Sequence, residues 1–306
     1  MNGCGIYTRY ERPDLSFADS LYTGIRQETQ QTDSASFANL SWREVFTDSL
    51  LQRWIECGME HNTDLRVARL RTEEAEAVLQ SSRLAFLPSV SLGGQGQVSH
   101  SDGRPAQRTY SVGPSAEWEL DILGRQRNAK AGAKAALGQS RAYEQAMQTR
   151  LVATVADSYY TLLMLDEQLQ ISRRTLTTWQ ENIRTLSALK RAGKTTEAAV
   201  LQARANKLEV EGSILTLEKR IGELENTVCA LLGIAPVKLE RGVLADQHFP
   251  DSLSAGLPLS LVSNRPDVRE AEFALMQSFY ATGEARSAFY PRITLSGTIR
   301  WTNNAE

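Results

Sequence analysis

Glu117, Glu119 and Asp121 stand two residues apart, so in a strand they share one face. Carboxylates grouped in this way could serve acid–base or metal chemistry. Such a site needs a histidine, a nucleophile or a second acidic cluster beside them. His61, His100 and His248 are scattered singly, and Cys4, Cys57 and Cys229 have neither metal nor disulfide spacing. Cys57 and Cys229 lie in helical patterns beside Ile55 and Val228, where small buried thiols are expected. Gly93-Gly94-Gln95-Gly96 resembles a phosphate cradle in composition, but no helix follows it. No catalysis, no metal and no cofactor follow from these residues. The three carboxylates read as a solvated strand face.

The elements that carry them alternate. Val90, Leu92, Gly94, Gly96 and Val98 share one side of a first run. In a second run Tyr110, Val112, Pro114, Ala116, Trp118, Leu120 and Ile122 face one way, with Ser111, Gly113, Ser115 and the carboxylates opposite. Each run is close to the ~9–11 residues of a tilted transmembrane strand, apolar outside and polar inside. A soluble antiparallel hairpin packed on a core would alternate in the same way. The glycines and the three carboxylates favour a water-filled lumen, with Glu117, Glu119 and Asp121 facing it.

Composition narrows the classes further. A net charge of -2 over 306 residues, from 34 basic and 36 acidic side chains, gives no reason to expect a nucleic-acid partner. With 42 % hydrophobic and 23 % charged residues the chain is too polar for a helical membrane protein, and no stretch approaches the ~20 apolar residues of a spanning helix. Membrane crossing would have to be by a barrel.

The rest reads as helix. The pattern turns helical at Trp42 and continues to about Phe86, where Pro88 ends it. From about Arg125 to Lys190 there is no proline, which predicts one helix roughly 100 Å long at ~1.5 Å per residue. Val155, Leu162, Leu169, Leu176 and Ile183 form a heptad, with Leu165, Trp179 and Leu186 three positions on. Gly193 should cap that helix, with Thr195 or Thr196 capping the next, whose seam is Ile214, Leu217, Ile221, Leu224, Val228 and Leu231. The result is a long antiparallel helical hairpin with a narrow seam that wants partner helices more than a globular core. After a connector, a third helix begins near Asn264 and stops before Pro291, and Ile293 to Thr302 alternate again.

Two of these segments are copies. At an offset of 203 residues, Asp64, Arg66, Ala68, Arg83, Ala85, Phe86, Pro88, Leu92 and Gly94 recur as Asp267, Arg269, Ala271, Arg286, Ala288, Phe289, Pro291, Leu295 and Gly297. Nine identities in 31 positions, where chance gives about two, mark a duplicated helix–strand–strand–hairpin unit. The second copy supplies a helix and one strand.

Four stretches resemble the TolC-like outer-membrane efflux family, in particular its lipoprotein branch in tripartite pumps. They are Gly3-Cys4, Leu84 to Leu92, Trp118-Glu119-Leu120-Asp121-Ile122-Leu123-Gly124-Arg125, and Asn264-Arg265-Pro266-Asp267-Val268 through Pro291. The resemblance implies a mainly α fold with transmembrane β-barrel strands and a periplasmic coiled-coil tunnel. It also implies a homotrimer acting as a passive duct in the outer membrane, for drugs or other small substrates. Cys4 would be the lipid anchor, attached to outer-membrane lipid. The hairpin tip, with Arg191, Gly193, Thr196 and Glu197, would meet the periplasmic adaptor protein of an inner-membrane pump.

The expected organisation is an amino-terminal lipoprotein-like segment 1–40, a helix 41–87, two barrel strands in 88–123, the hairpin 124–232 and a connector 233–259. A second-copy helix 260–290 and a third strand 291–306 follow. With the last strand and second hairpin missing, the expectation is a chain that does not form a conducting trimer alone, because a barrel in lipid tolerates no unpaired edge. Other readings are a type I secretion duct, a soluble coiled-coil interaction protein, or a fragment of a duct.

Overall fold

The computed structural model describes residues 8–13, 41–100, 102–103, 106–248 and 265–304; Cys4 and the second half of the expected connector lie outside them. In order the elements are α1 (Trp42–Val45), α2 (Ser49–His61), α3 (Thr63–Leu84), β1 (Ser89–Ser99), β2 (Gln107–Leu120), α4 (Arg125–Arg191) and α5 (Glu197–Leu232). A 3-10 turn (Leu244–Asp246), α6 (Pro266–Ser287), β3 (Ile293–Thr298) and β4 (Trp301–Asn304) complete them. The fold is mainly helical with one small antiparallel sheet. Contacts divide it into one unit of residues 8–13, 68–144 and 265–304, and another of 41–67 and 145–248.

The single helix expected from Trp42 to Phe86 is three. Asp48 starts α2, its carboxylate accepting the Leu50 N–H at 2.8 Å. Asn62 breaks the chain again with an extended backbone. Its amide oxygen accepts the Leu65 N–H and its Nδ2 donates to the Leu231 carbonyl, so the break serves as the next helix's cap. Hydrophobic periodicity runs across both interruptions, which hid them.

The duplication is also present in three dimensions. Helices α3 and α6 are both 22 residues long and their ends are displaced by the same 203 residues. The turns after them repeat bond for bond: Phe86 N–H to the Arg83 carbonyl recurs as Phe289 to Arg286, and Leu87 to Leu84 recurs as Tyr290 to Ser287.

In the unit that contains the hairpin, the seam is not narrow throughout. Leu51, Trp54 and Ile55 of α2 join Val155, Tyr159, Leu162, Ile221, Val228 and Leu232 in one buried core at its root. Beyond Leu165 the α4 side of the seam, Leu169, Leu176, Trp179, Ile183 and Leu186, is only half-buried. The expected narrow seam therefore describes the distal half, and the root is globular because α2 supplies a third layer.

Candidate functional site: an amphipathic sheet and a hairpin tip

Strand β2 is central, antiparallel to β1 on one side and to β3 and β4 on the other. One register, from Leu120 opposite Ile293 to Thr109 opposite Asn304, runs through β3 and β4 together. They are the one strand expected from the alternation. It is interrupted opposite Pro114, which has no N–H to complete the ladder, although the Ile299 N–H still donates to the Pro114 carbonyl.

Directly paired residues share a face. Val90, Leu92 and Val98 therefore line up with Tyr110, Val112, Ala116 and Trp118, and these with Ile293, Leu295, Ile299 and Trp301. The opposite face is Ser, Thr, Gln, Gly, Glu and Arg300. Among the described residues no core covers the apolar face. Leu92 is 77 % exposed and Trp301 64 %. A soluble hairpin would have buried these side chains.

The carboxylates part company. Glu117 is exposed and has no ion-pair partner among the described residues, whereas Glu119 forms a two-pronged pair with Arg125 at 2.9 and 2.7 Å. β2 ends at Leu120, so Asp121 and Ile122 lie past the strand to which the alternation assigned them. Asp121 caps α4 instead, accepting the Gln126 and Arg127 N–H groups at 2.9 and 3.0 Å and pairing with Arg127. The unsatisfied N–H groups and positive end of a 67-residue helix explain that placement. Around the same turn Trp118 donates its Nε1–H to the Phe86 carbonyl at 3.0 Å, and Lys130 lies 5.4 Å from the Phe86 ring. The run Trp118 to Arg125 thus locks the helix-to-strand and strand-to-hairpin junctions together.

At the other end of the hairpin, Gly193 has φ +71. The Gly193 and Lys194 N–H groups reach back to the carbonyls of Lys190 and Leu189, both at 2.9 Å. That closure needs a left-handed residue, which glycine supplies without strain. Thr196 is the N-cap residue before α5, with no capping bond from its side chain, and Glu197 in the first turn pairs with Lys190. Arg191, Gly193, Thr196 and Glu197 thus belong to one exposed turn.

Sequence reading missed the ties that hold the connector to the hairpin root. The Arg241 guanidinium, almost fully buried, pairs with Asp166 and Glu225. Hydrogen bonding to Asp166 raises its already high pKa, against the opposing effect of burial. Tyr159 donates to Asp48 and accepts the Gly242 N–H, and Gln247 also donates to Asp48. Burial alone would raise the Asp48 carboxyl, but the bonds from Tyr159, Gln247 and the backbone hold it below the usual carboxylate range. These pairs lie as far as 199 residues apart, and no local pattern announces them.

The family described as outer membrane efflux protein matches residues 54–234, more than half the chain and all of the hairpin. The chain belongs to that family. Its relatives include the probable efflux pump outer membrane protein TtgC of Pseudomonas putida, 29 % identical over 97 % of this chain and 63 % of TtgC. Another is the cation efflux system protein CusC of Escherichia coli K12, 29 % identical over 98 % of this chain and 66 % of CusC. A crystal structure of CusC matches with a TM-score of 0.84 and 26 % identity, over 99 % of this chain and 68 % of that one. The outer-membrane channel OprN matches at 0.80 and 28 %, over 89 % and 63 %. The chain therefore spans a little under two thirds of the length of the curated relatives it matches. The outer-membrane efflux fold is common to all of them.

Proposed function

We propose that the chain is a subunit of an outer-membrane efflux duct, a passive conduit for drugs, cations or other small substrates delivered by an inner-membrane pump through a periplasmic adaptor. The observation that carries this reading is the sheet with one largely apolar, solvent-exposed face, broken at its rim by Arg108 and Asn303, and one polar face. Bare apolar area of that kind is stable against lipid and costly in water. The family relatives, named as efflux pump and cation efflux proteins, support it.

In this reading segments 88–123 and 291–306 belong to a barrel shared among three copies, 124–232 is the periplasmic hairpin, and Cys4 in segment 1–40 carries the lipid anchor. Helices 41–87 and 260–290 and connector 233–259 are the remaining segments of this reading. Of the three carboxylates, Glu117 and Glu119 face the lumen side and only Glu117 presents an uncompensated charge there, while Asp121 is taken up in capping α4. The homotrimer and the adaptor contact at Arg191, Gly193, Thr196 and Glu197 belong to the same proposal.

Quenching by brominated lipids tests it. With Trp42, Trp54 and Trp179 replaced by Phe, the fluorescence of Trp118 and Trp301 in vesicles should be strongly quenched by brominated acyl chains, and native mass spectrometry should find three copies. A water-soluble monomer whose fluorescence ignores the bromines would sink the reading.

A further inference from the structure

Charge is distributed unevenly along the hairpin. Between Gln180 and Leu208 the chain carries Arg184, Lys190, Arg191, Lys194, Arg204 and Lys207 against Glu181 and Glu197, a net +4. From Glu209 to Leu232 the balance reverses, with five glutamates against Lys219 and Arg220. Lys190 is neutralised by Glu197 and Lys207 by Glu211. Arg184, Arg191, Lys194 and Arg204 are exposed and have no carboxylate partner among the described residues.

The surplus surrounds a specific place. An open cleft of about 520 Å³ between α4 and α5 is lined by Gln180, Ile183, Arg184, Arg204, Lys207 and Leu208. Its floor is apolar, and Leu208 is 64 % exposed, with Leu201 one heptad earlier 53 % exposed. Both leucines lie off the seam that α5 shares with α4, whose positions Ile214, Leu217 and Ile221 are buried. Apolar side chains ringed by unpaired cations suit a helix that brings its own apolar stripe and flanking carboxylates.

We infer that the distal hairpin is a docking surface for an acidic, amphipathic helical tip, seated over the Ile183–Leu208 cleft with its carboxylates against Arg184 and Arg204. This rests on the reading of the hairpin tip as the adaptor-contacting end and specifies the chemistry of that partner. Its charges set encounter rate and orientation, and Leu201 and Leu208 supply the apolar contact.

Binding of the full chain, immobilised through a carboxyl-terminal tag, to three synthetic helical hairpins is the test. The hairpins differ only in bearing four Glu, four Gln or four Lys beside the turn. The Glu hairpin should bind about tenfold more tightly than the Gln hairpin at 50 mM salt, and the gap should shrink several-fold at 0.5 M, where exposed charges are screened. The double substitution R184E/R204E should erase the preference, R184Q/R204Q should reduce it, and R174E on the same helix outside the cleft should leave it intact. Circular dichroism checks that each variant keeps its helices. Equal binding of Glu and Gln hairpins would overturn the inference. So would binding only to phosphatidylglycerol vesicles, or only to further copies of the chain. Brominated-lipid quenching is independent of the tip, so a chain that inserts but shows no carboxylate preference loses this inference alone.

Discussion

The two copies of the helix-to-strand junction have the same skeleton and different surroundings. Residues 63–84 and 266–287 form helices of equal length and end in the same hydrogen-bonded turn. Yet Phe86 is held by Trp118 and Lys130, whereas Phe289 is 89 % exposed. The helices differ in the opposite sense. Against α4, α3 is tied by polar bonds, from Arg141 to Glu76 at 2.6 Å and from Thr72 to Glu144 at 3.1 Å. Helix α6 instead fits ring to notch. The Phe273 ring lies so close to Gly138 that a Cβ there would come within 2.5 Å of it, and the Asn128 side chain fills the space above Gly283. Local sequence dictates the turn, and the neighbour dictates how much the turn contributes.

Substitutions can break or sharpen that contrast. The largest effect should come from Gly138→Val, which overfills the Phe273 notch and should cost about 2–3 kcal/mol. Thermal unfolding should show the loss, and limited proteolysis should cut first in α6, with α3 protected. Phe86→Ala should cost about 1–2 kcal/mol, as a half-buried ring is removed from beneath Lys130, whereas Phe289→Ala should stay within about 0.5 kcal/mol. Equal losses in urea melts would dissolve the contrast. Trp118→Phe keeps an aromatic side chain and deletes the donor to the Phe86 carbonyl. It should cost about 1 kcal/mol and speed amide exchange around Leu87 but not around Tyr290. Smallest should be the exposed Arg141–Glu76 pair, whose double-mutant cycle should give less than about 0.5 kcal/mol and vanish in high salt.

Much of this was legible in the sequence because its causes are local. Alternation located β1, β2 and the β3–β4 strand, proline and glycine located the helix ends, and the 203-residue offset located the copy. The legible part of the site is likewise the part that depends on periodicity, the two faces of the sheet. Asp121 was misassigned because strand spacing and helix capping both place a carboxylate there, and only the end of β2 at Leu120 distinguishes them. Asn62 was hidden by an apolar period that spans it. The Arg241 and Tyr159 ties, and the notch at Gly138, were illegible because each joins residues distant in sequence through shape or burial.

The division of the chain between its two units has a consequence for biogenesis. The hairpin unit is drawn from residues 41–67 and 145–248, so all its described parts are synthesised before α6. The sheet unit is interrupted by that insertion, and β2 waits for β3 until the whole hairpin and α6 have been made. Throughout that interval the β1–β2 ribbon has an unpaired edge and a bare apolar face, the combination most prone to aggregation. A nascent chain built in this order requires an escort that holds the ribbon while leaving the hairpin free to fold. Chaperone crosslinks on stalled chains should accordingly concentrate on residues 89–120.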